Sequence, residues 1–193
     1  MAGADGRNIA GDKIRFFYAD MLTEEQVTKI NETYNQIASS PLAVGDIAGS
    51  GGLFFSAADE AAKHPALATN AYWIRGVDAV SGIGVTANST SALPFGEESF
   101  NLFTGNTPAD AEVTFWPDLS DTTESRMIKT SGGVVSGTRV ALLIRIQGNT
   151  PANKTYHVVM GTIGGINYDP QKEAAQAYTR TVITEAVVFG VDA

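Results

Sequence analysis

Apolar and polar positions alternate most regularly in the last third of the chain, in runs at about Gly137–Gln147, Lys154–Tyr168 and Gln176–Val191. In the first, Val140, Leu142, Ile144 and Ile146 alternate with Arg139, Ala141, Leu143, Arg145 and Gln147. A period of two is the mark of a β-strand with one apolar and one mixed face. Strands are typically about 5–6 residues long. Runs of this length therefore point to a sheet larger than a small monomer needs, one that serves as a working surface. Turn-rich connectors, Gly148-Asn149-Thr150-Pro151 and Asp169-Pro170-Gln171-Lys172, separate the runs.

Upstream, strand character is predicted over Tyr72–Val85, Glu98–Phe103 and Glu112–Trp116. Ala87–Pro94 reads as a polar loop, making the first two a hairpin with a long tip. Asp121–Lys129 reads as a short helix with Asp121 and Glu124 at cap and N3 positions. The strongest helix is predicted over about 23–38. Thr23 and Gln26 form a capping box, Leu22 and Val27 a hydrophobic staple, and Val27, Ile30, Tyr34 and Ile37 one apolar stripe. A short aromatic cluster, Phe16-Phe17-Tyr18, precedes it. Residues 41–70 read as an arm, with Gly45, Gly49, Gly51 and Gly52 ahead of Leu53-Phe54-Phe55 and then a short helical piece at Ala57–Lys63. Whether Phe54 and Phe55 fill their own domain's core or anchor on another subunit stays open at this point.

The expected architecture is thus mainly β: a two-sheet β-sandwich or barrel with a short helix, preceded by an N-terminal helix and extended arm. The division is 1–70 for the extension and 71–193 for the β domain. At 193 residues with 44% hydrophobic side chains, such a domain supports a core without staples. Cysteine is absent, which removes disulfides, thiolate nucleophiles and Cys-ligated metals. The N-terminus carries no secretory signal pattern. The longest strongly apolar run, Val140 to Ile144, is far short of the roughly 18–20 residues of a membrane helix, so no membrane anchor is expected.

Candidate chemistry is sparse. Of the two histidines, His64 and His157, neither has a partner at metal-ligand spacing. The carboxylate pairs Asp59-Glu60 and Glu97-Glu98 read as solvated charge, because acid–base work needs two carboxyls in different environments facing one substrate. Gly161, Gly164 and Gly165 lack the Lys of a phosphate loop; glycine within a strand marks a bulge or a close backbone approach. No catalytic residue, metal or cofactor is expected. A formal charge of −8 disfavours gripping phosphate backbones and suits a surface that repels them.

From Tyr72 onward the order of elements resembles that of bacteriophage major tail tube proteins. The residues that carry the likeness are Trp73–Val80 as opening strand, Glu112–Trp116 before the helix at Asp121–Lys129, and the closing runs Arg139–Gln147, Val158–Pro170 and Thr179–Phe189. The resemblance implies a virion structural protein whose subunits form hexameric rings stacked into a tube. Assembled in the host cytoplasm, such a tube contacts other tail proteins and passes DNA without specific binding. On that reading Thr86–Glu97, with Leu93 and Phe95, is the stacking loop, and Leu53, Phe54 and Phe55 anchor a neighbouring subunit. Arg139, Arg145, Val187 and Phe189 on the closing strands supply ring contacts. Alternatives are head–tail joining, tail termination or capsid decoration. A carbohydrate-binding β-sandwich with Tyr72, Trp73 and Trp116 as a platform, or an enzyme without a visible motif, are others.

Overall fold

The computed structural model describes residues 14–20, 22–50, 52–56, 71–74, 77–92, 100–116, 137–147, 153–169 and 177–192. In chain order these form β1 (Ile14–Asp20), α1 (Glu24–Tyr34), α2 (Val44–Ile47), β2 (Ala71–Ile74), β3 (Val77–Ser81), β4 (Val85–Ala92) and β5 (Phe100–Pro108). They continue with β6 (Ala111–Phe115), β7 (Arg139–Gln147), β8 (Lys154–Asp169) and β9 (Ala177–Asp192). The protein is mainly β, as its alternation predicts. The helices expected at 57–63 and 121–129 lie outside the described residues.

Seven strands make one sheet in the order β2-β1-β7-β8-β9-β6-β3, and β4 and β5 pair separately. The run expected as one strand over 72–85 is split, with β2 and β3 at opposite edges of the large sheet. Ile74 and Val77 are three residue steps apart, so their Cα atoms stand within roughly 11 Å. A flat sheet of seven strands would hold its edges roughly 29 Å apart at about 4.8 Å per strand. The sheet therefore curls until its two edges approach, and it acquires an inside and an outside.

This curl explains a departure from the predicted pattern. β7 was expected to have one apolar and one mixed face, yet Val140 through Arg145 are all buried. Val140, Leu142 and Ile144 point inward and pack with Tyr18, Val113, Phe115, Val159, Ile163, Val182 and Val187. Ala141 and Leu143 point outward, against a cover made by Ile30 of α1 together with Leu42, Ile47, Phe54 and Phe55. A strand covered on both faces has little need for polar alternation. At about 1.5–3 kcal/mol for each large apolar side chain removed from water, these two clusters dominate stability.

The N-terminal seventy residues are part of this core. β1 lies between β2 and β7, in unbroken register with β7 from Ile14↔Ile146 to Asp20↔Val140. Sequence reading registered only an aromatic cluster here, because β1 is stabilised by distant partners rather than by local pattern. Consequently, the division at residue 70 separates no independent packing units among the described residues.

Helix α1 follows its predicted start closely. Thr23 Oγ1 accepts from the Gln26 amide at 3.2 Å and Gln26 Oε1 accepts from the Thr23 amide at 2.7 Å, completing the capping box. The helix stops at Tyr34, before the predicted end. Gln36 takes a left-handed conformation (φ 58°), and the Ile37 and Gln36 amides donate to the carbonyls of Glu32 and Thr33. That is a Schellman ending without its usual glycine. It turns Ile37 off the apolar stripe and into solvent, 73% exposed.

The glycine-rich arm is a tight turn rather than a tether. The Leu53 amide donates to the Asp46 carbonyl at 2.6 Å and the Phe55 amide to the Ile47 carbonyl at 3.2 Å. A Cβ on Gly52 would sit 2.6 Å from the Phe55 carbonyl oxygen, so the turn closes only around a residue without a side chain. Gln26 Nε2 donates to the Leu53 carbonyl, tying the start of α1 to the turn.

Candidate assembly surfaces

The nine residues expected at subunit contacts fall into three groups. Phe54 and Phe55 are buried in their own chain's core, at 0% and 3% exposure, with Leu53 packed against them. Phe55 lies 4.9 Å from the Phe17 ring and 6.3 Å from that of Tyr156. These contacts answer the question the sequence left open: the two phenylalanines fill their own chain's core and hold the arm to its own sheet.

Arg145 and Val187 are also interior, at 2% and 4% exposure. Arg145 stands opposite Arg15 on one side and Tyr156 on the other, on the face covered by the N-terminal segment. The apolar stretch Ala186–Val188 is buried on both faces, outward against the α1 cluster and inward within the curl. Its own fold, rather than a neighbour, covers it.

Arg139 and Phe189 reach solvent. The Arg139 guanidinium pairs with Glu185 at 2.9 Å, and Glu185 also accepts from Thr162 Oγ1 at 3.0 Å. Phe189 is half exposed and meets the His157 ring edge-on at 5.5 Å. Leu93 and Phe95 lie outside the described residues, as do the side chains of Tyr72 and Trp73. The neighbouring stretch expected as a loop is largely strand: β4 pairs with β5 from Val85↔Pro108 to Ala92↔Phe100, through one bulge. Only 93–99 separates the two strands. Backbone pairing between polar residues leaves no alternation to read.

Three exposed features were not anticipated from sequence. First, β8 outruns β7. Its pairing with β7 ends at Thr162↔Arg139, extended by two hydrogen bonds between Ile163 and the 137–138 backbone, while β9 accompanies it to Asp169↔Ala177. Among the described residues, the other edge of 165–169 pairs with no strand. Second, Tyr168 on this stretch stacks on Tyr178 at 4.8 Å, which lies 6.3 Å from Phe115. Tyr168 and Trp116 are 41% and 48% exposed. Third, Ile14 and Ile146, paired in register, are exposed at the opposite end of the sheet, the end that also carries Phe189.

The glycines behave as expected of strand glycines. The β8–β9 register shifts at Met160/Gly161 and again between Ile163 and Ile166. A Cβ on Gly161 would strike the Ile183 carbonyl oxygen, so the bulge requires glycine at this point.

A buried cation also escaped sequence reading. Arg180 sits in the middle of β9, opposite Val113 and Ile166, and is 1% exposed. Burial lowers its pKa from the ordinary arginine value, and Tyr18 opposes the shift electrostatically. Nothing about Thr179-Arg180-Thr181 in sequence distinguishes it from a solvent-facing arginine.

Among the described residues no group of three or more His, Asp or Glu side chains is arranged to hold a metal ion, and no helix is long and apolar enough to cross a membrane. An open hollow of about 250 Å³ lies between the end of α1 and the β5 strand, lined by Tyr34, Asn35, Gln36, Gly105 and Asn106. Tyr34 Oη donates to the Asn106 carbonyl across it at 3.2 Å. Among the described residues its lining offers amides and one phenol.

No protein-family model matches the chain, and no curated protein does. Among solved structures, it is similar to a chain from the tail of an empty GTA particle with C6 symmetry. The TM-score is 0.40 at 14% identity, covering 63% of this chain and 87% of that one.

Proposed function

We propose that the protein is an assembly subunit rather than an enzyme, its exposed edges and end patches serving as contact surfaces between copies. The particular assembly is a phage tail tube, in which hexameric rings stack and DNA passes through the lumen without specific binding. The observation that carries the reading is the overhanging β8 end at 165–169, flanked by the exposed Tyr168–Tyr178 stack and paired on its other edge with no described strand. Open edges of this kind are hazardous on a monomer and useful where a neighbour completes the sheet. The chain's formal charge of −8 supports a lumen that repels phosphate.

Electron microscopy of the purified full chain at high concentration tests this. Rings that stack into tubes are the expected outcome. Replacing Tyr168 by Asp puts a charge on this exposed aromatic end, and is expected to abolish rings while leaving the circular dichroism spectrum unchanged. Particles that remain monomeric at every concentration and salt would refute the proposal. Single rings that never stack would favour head–tail joining or tail termination.

A further inference from the structure

We propose that His157 is a pH-sensitive latch on the β9 bulge formed by Phe189 and Gly190. The latch is a property of the single chain and holds whether or not copies assemble. β7 and β8 keep an unbroken register through Ile144↔His157, whereas β8 and β9 step from Tyr156↔Val191 to Val158↔Val188. Two residues of β9, Phe189 and Gly190, therefore stand opposite the one histidine. Gly190 takes a left-handed conformation there, φ 67°, which glycine adopts without steric cost.

The extra residue removes the Gly190 amide from the ladder. His157 satisfies it instead: the Gly190 N–H donates to His157 Nδ1 at 3.1 Å. Nδ1 can accept only with its lone pair free, so the neutral ring carries its proton on Nε2. Protonation puts a second N–H at Nδ1. Two donors then face each other, and the bond is lost. The same imidazole packs edge-on against Phe189, with ring centroids 5.5 Å apart and planes at 68°. Losing the latch frees the glycine and the exposed aromatic beside it.

On the His157 face of the sheet, β7 presents Ile144 and Ile146, and β1 presents Ile14. Asp192 of β9 is the carboxylate nearest in register, and it accepts from Thr155 Oγ1 at 2.5 Å. Lys154, Arg145 and Arg15 stand on the opposite face by strand alternation.

Amide spectra of the ¹⁵N-labelled full chain, recorded across an acid titration, test the latch. With two histidines in the chain, the His157 ring signal is separable by comparison with His64→Asn. The Gly190 amide shift is expected to follow the His157 ring with one shared midpoint. Its exchange rate, normalised to its sequence-intrinsic rate, should rise on the order of fivefold in the protonated form, the scale of one net hydrogen bond. His157→Asn keeps an acceptor near Nδ1 and removes the titration, so Gly190 should become indifferent to pH. His64→Asn should leave the coupling intact. A Gly190 amide that ignores the ring's titration in the unaltered chain, or that still titrates in His157→Asn, would overturn the proposal.

Discussion

Strands β7 and β4 have similar lengths and the same antiparallel pairing, yet they are held in place by different physics. β7 has neighbours on both sides and cover on both faces, so six successive side chains are removed from water. Among the described residues β4 has one neighbour, and Thr86, Ala87, Asn88 and Ser89 are exposed. Its side-chain support includes the 2.6 Å hydrogen bond from Asn88 Nδ2 to Thr107 Oγ1. The first strand is fixed by burial and tolerates little change. The second is fixed by its ladder, and its side chains are free to serve another surface.

The sharpest way to break this contrast is to excavate the core. Leu143→Ala should lower unfolding free energy by about 2–5 kcal/mol, because Leu143 is fully buried beneath the N-terminal cover. Denaturant unfolding should show a lower midpoint at an unchanged slope. Phe54→Ala tests the same core from the arm, with an expected loss of about 3–5 kcal/mol. A loss below 1 kcal/mol there would mean that the arm is a separable appendage after all.

Gly161→Ala should cost about 1–3 kcal/mol, since the added methyl meets the Ile183 backbone. Gln26→Ala removes both the capping-box return bond and the bond to the Leu53 carbonyl, and about 1–2 kcal/mol should go with them. Gln36→Gly should act in the opposite direction. It relieves a left-handed non-glycine residue and should raise stability by about 1 kcal/mol, read as a higher melting temperature. Asn88→Ala on the exposed hairpin should stay within about 0.5 kcal/mol of the parent. If hairpins contact one another in a stack, the same change should weaken assembly well before it weakens the fold.

This ordering also shows what sequence patterns can and cannot reveal. α1 was legible because its cap lies within four residues, and β8 and β9 because long alternation survives local noise. β1 was not legible, since seven residues between strands distant in sequence owe their state to non-local pairing. β4 was misread as loop because a ladder between polar residues leaves no apolar period. Arg145 and Arg180 look like surface cations in sequence, but the N-terminal cover encloses the first and the curl of the sheet the second. Only the topology, with β2 and β3 at opposite edges, reveals that the curl exists. Among the expected contact residues, Phe189 kept its exposure, beside His157 at the end of the sheet. Phe54 and Phe55 did not, because Gly49 and Gly52 fold the arm back.

Native mass spectrometry of the full chain over a range of concentrations tests the central claim most directly. The account predicts a rise from monomer to species in multiples of six, lost when Tyr168 is replaced by Asp. A distribution that stays monomeric throughout, or that settles at a number unrelated to six and ignores the substitution, would contradict it.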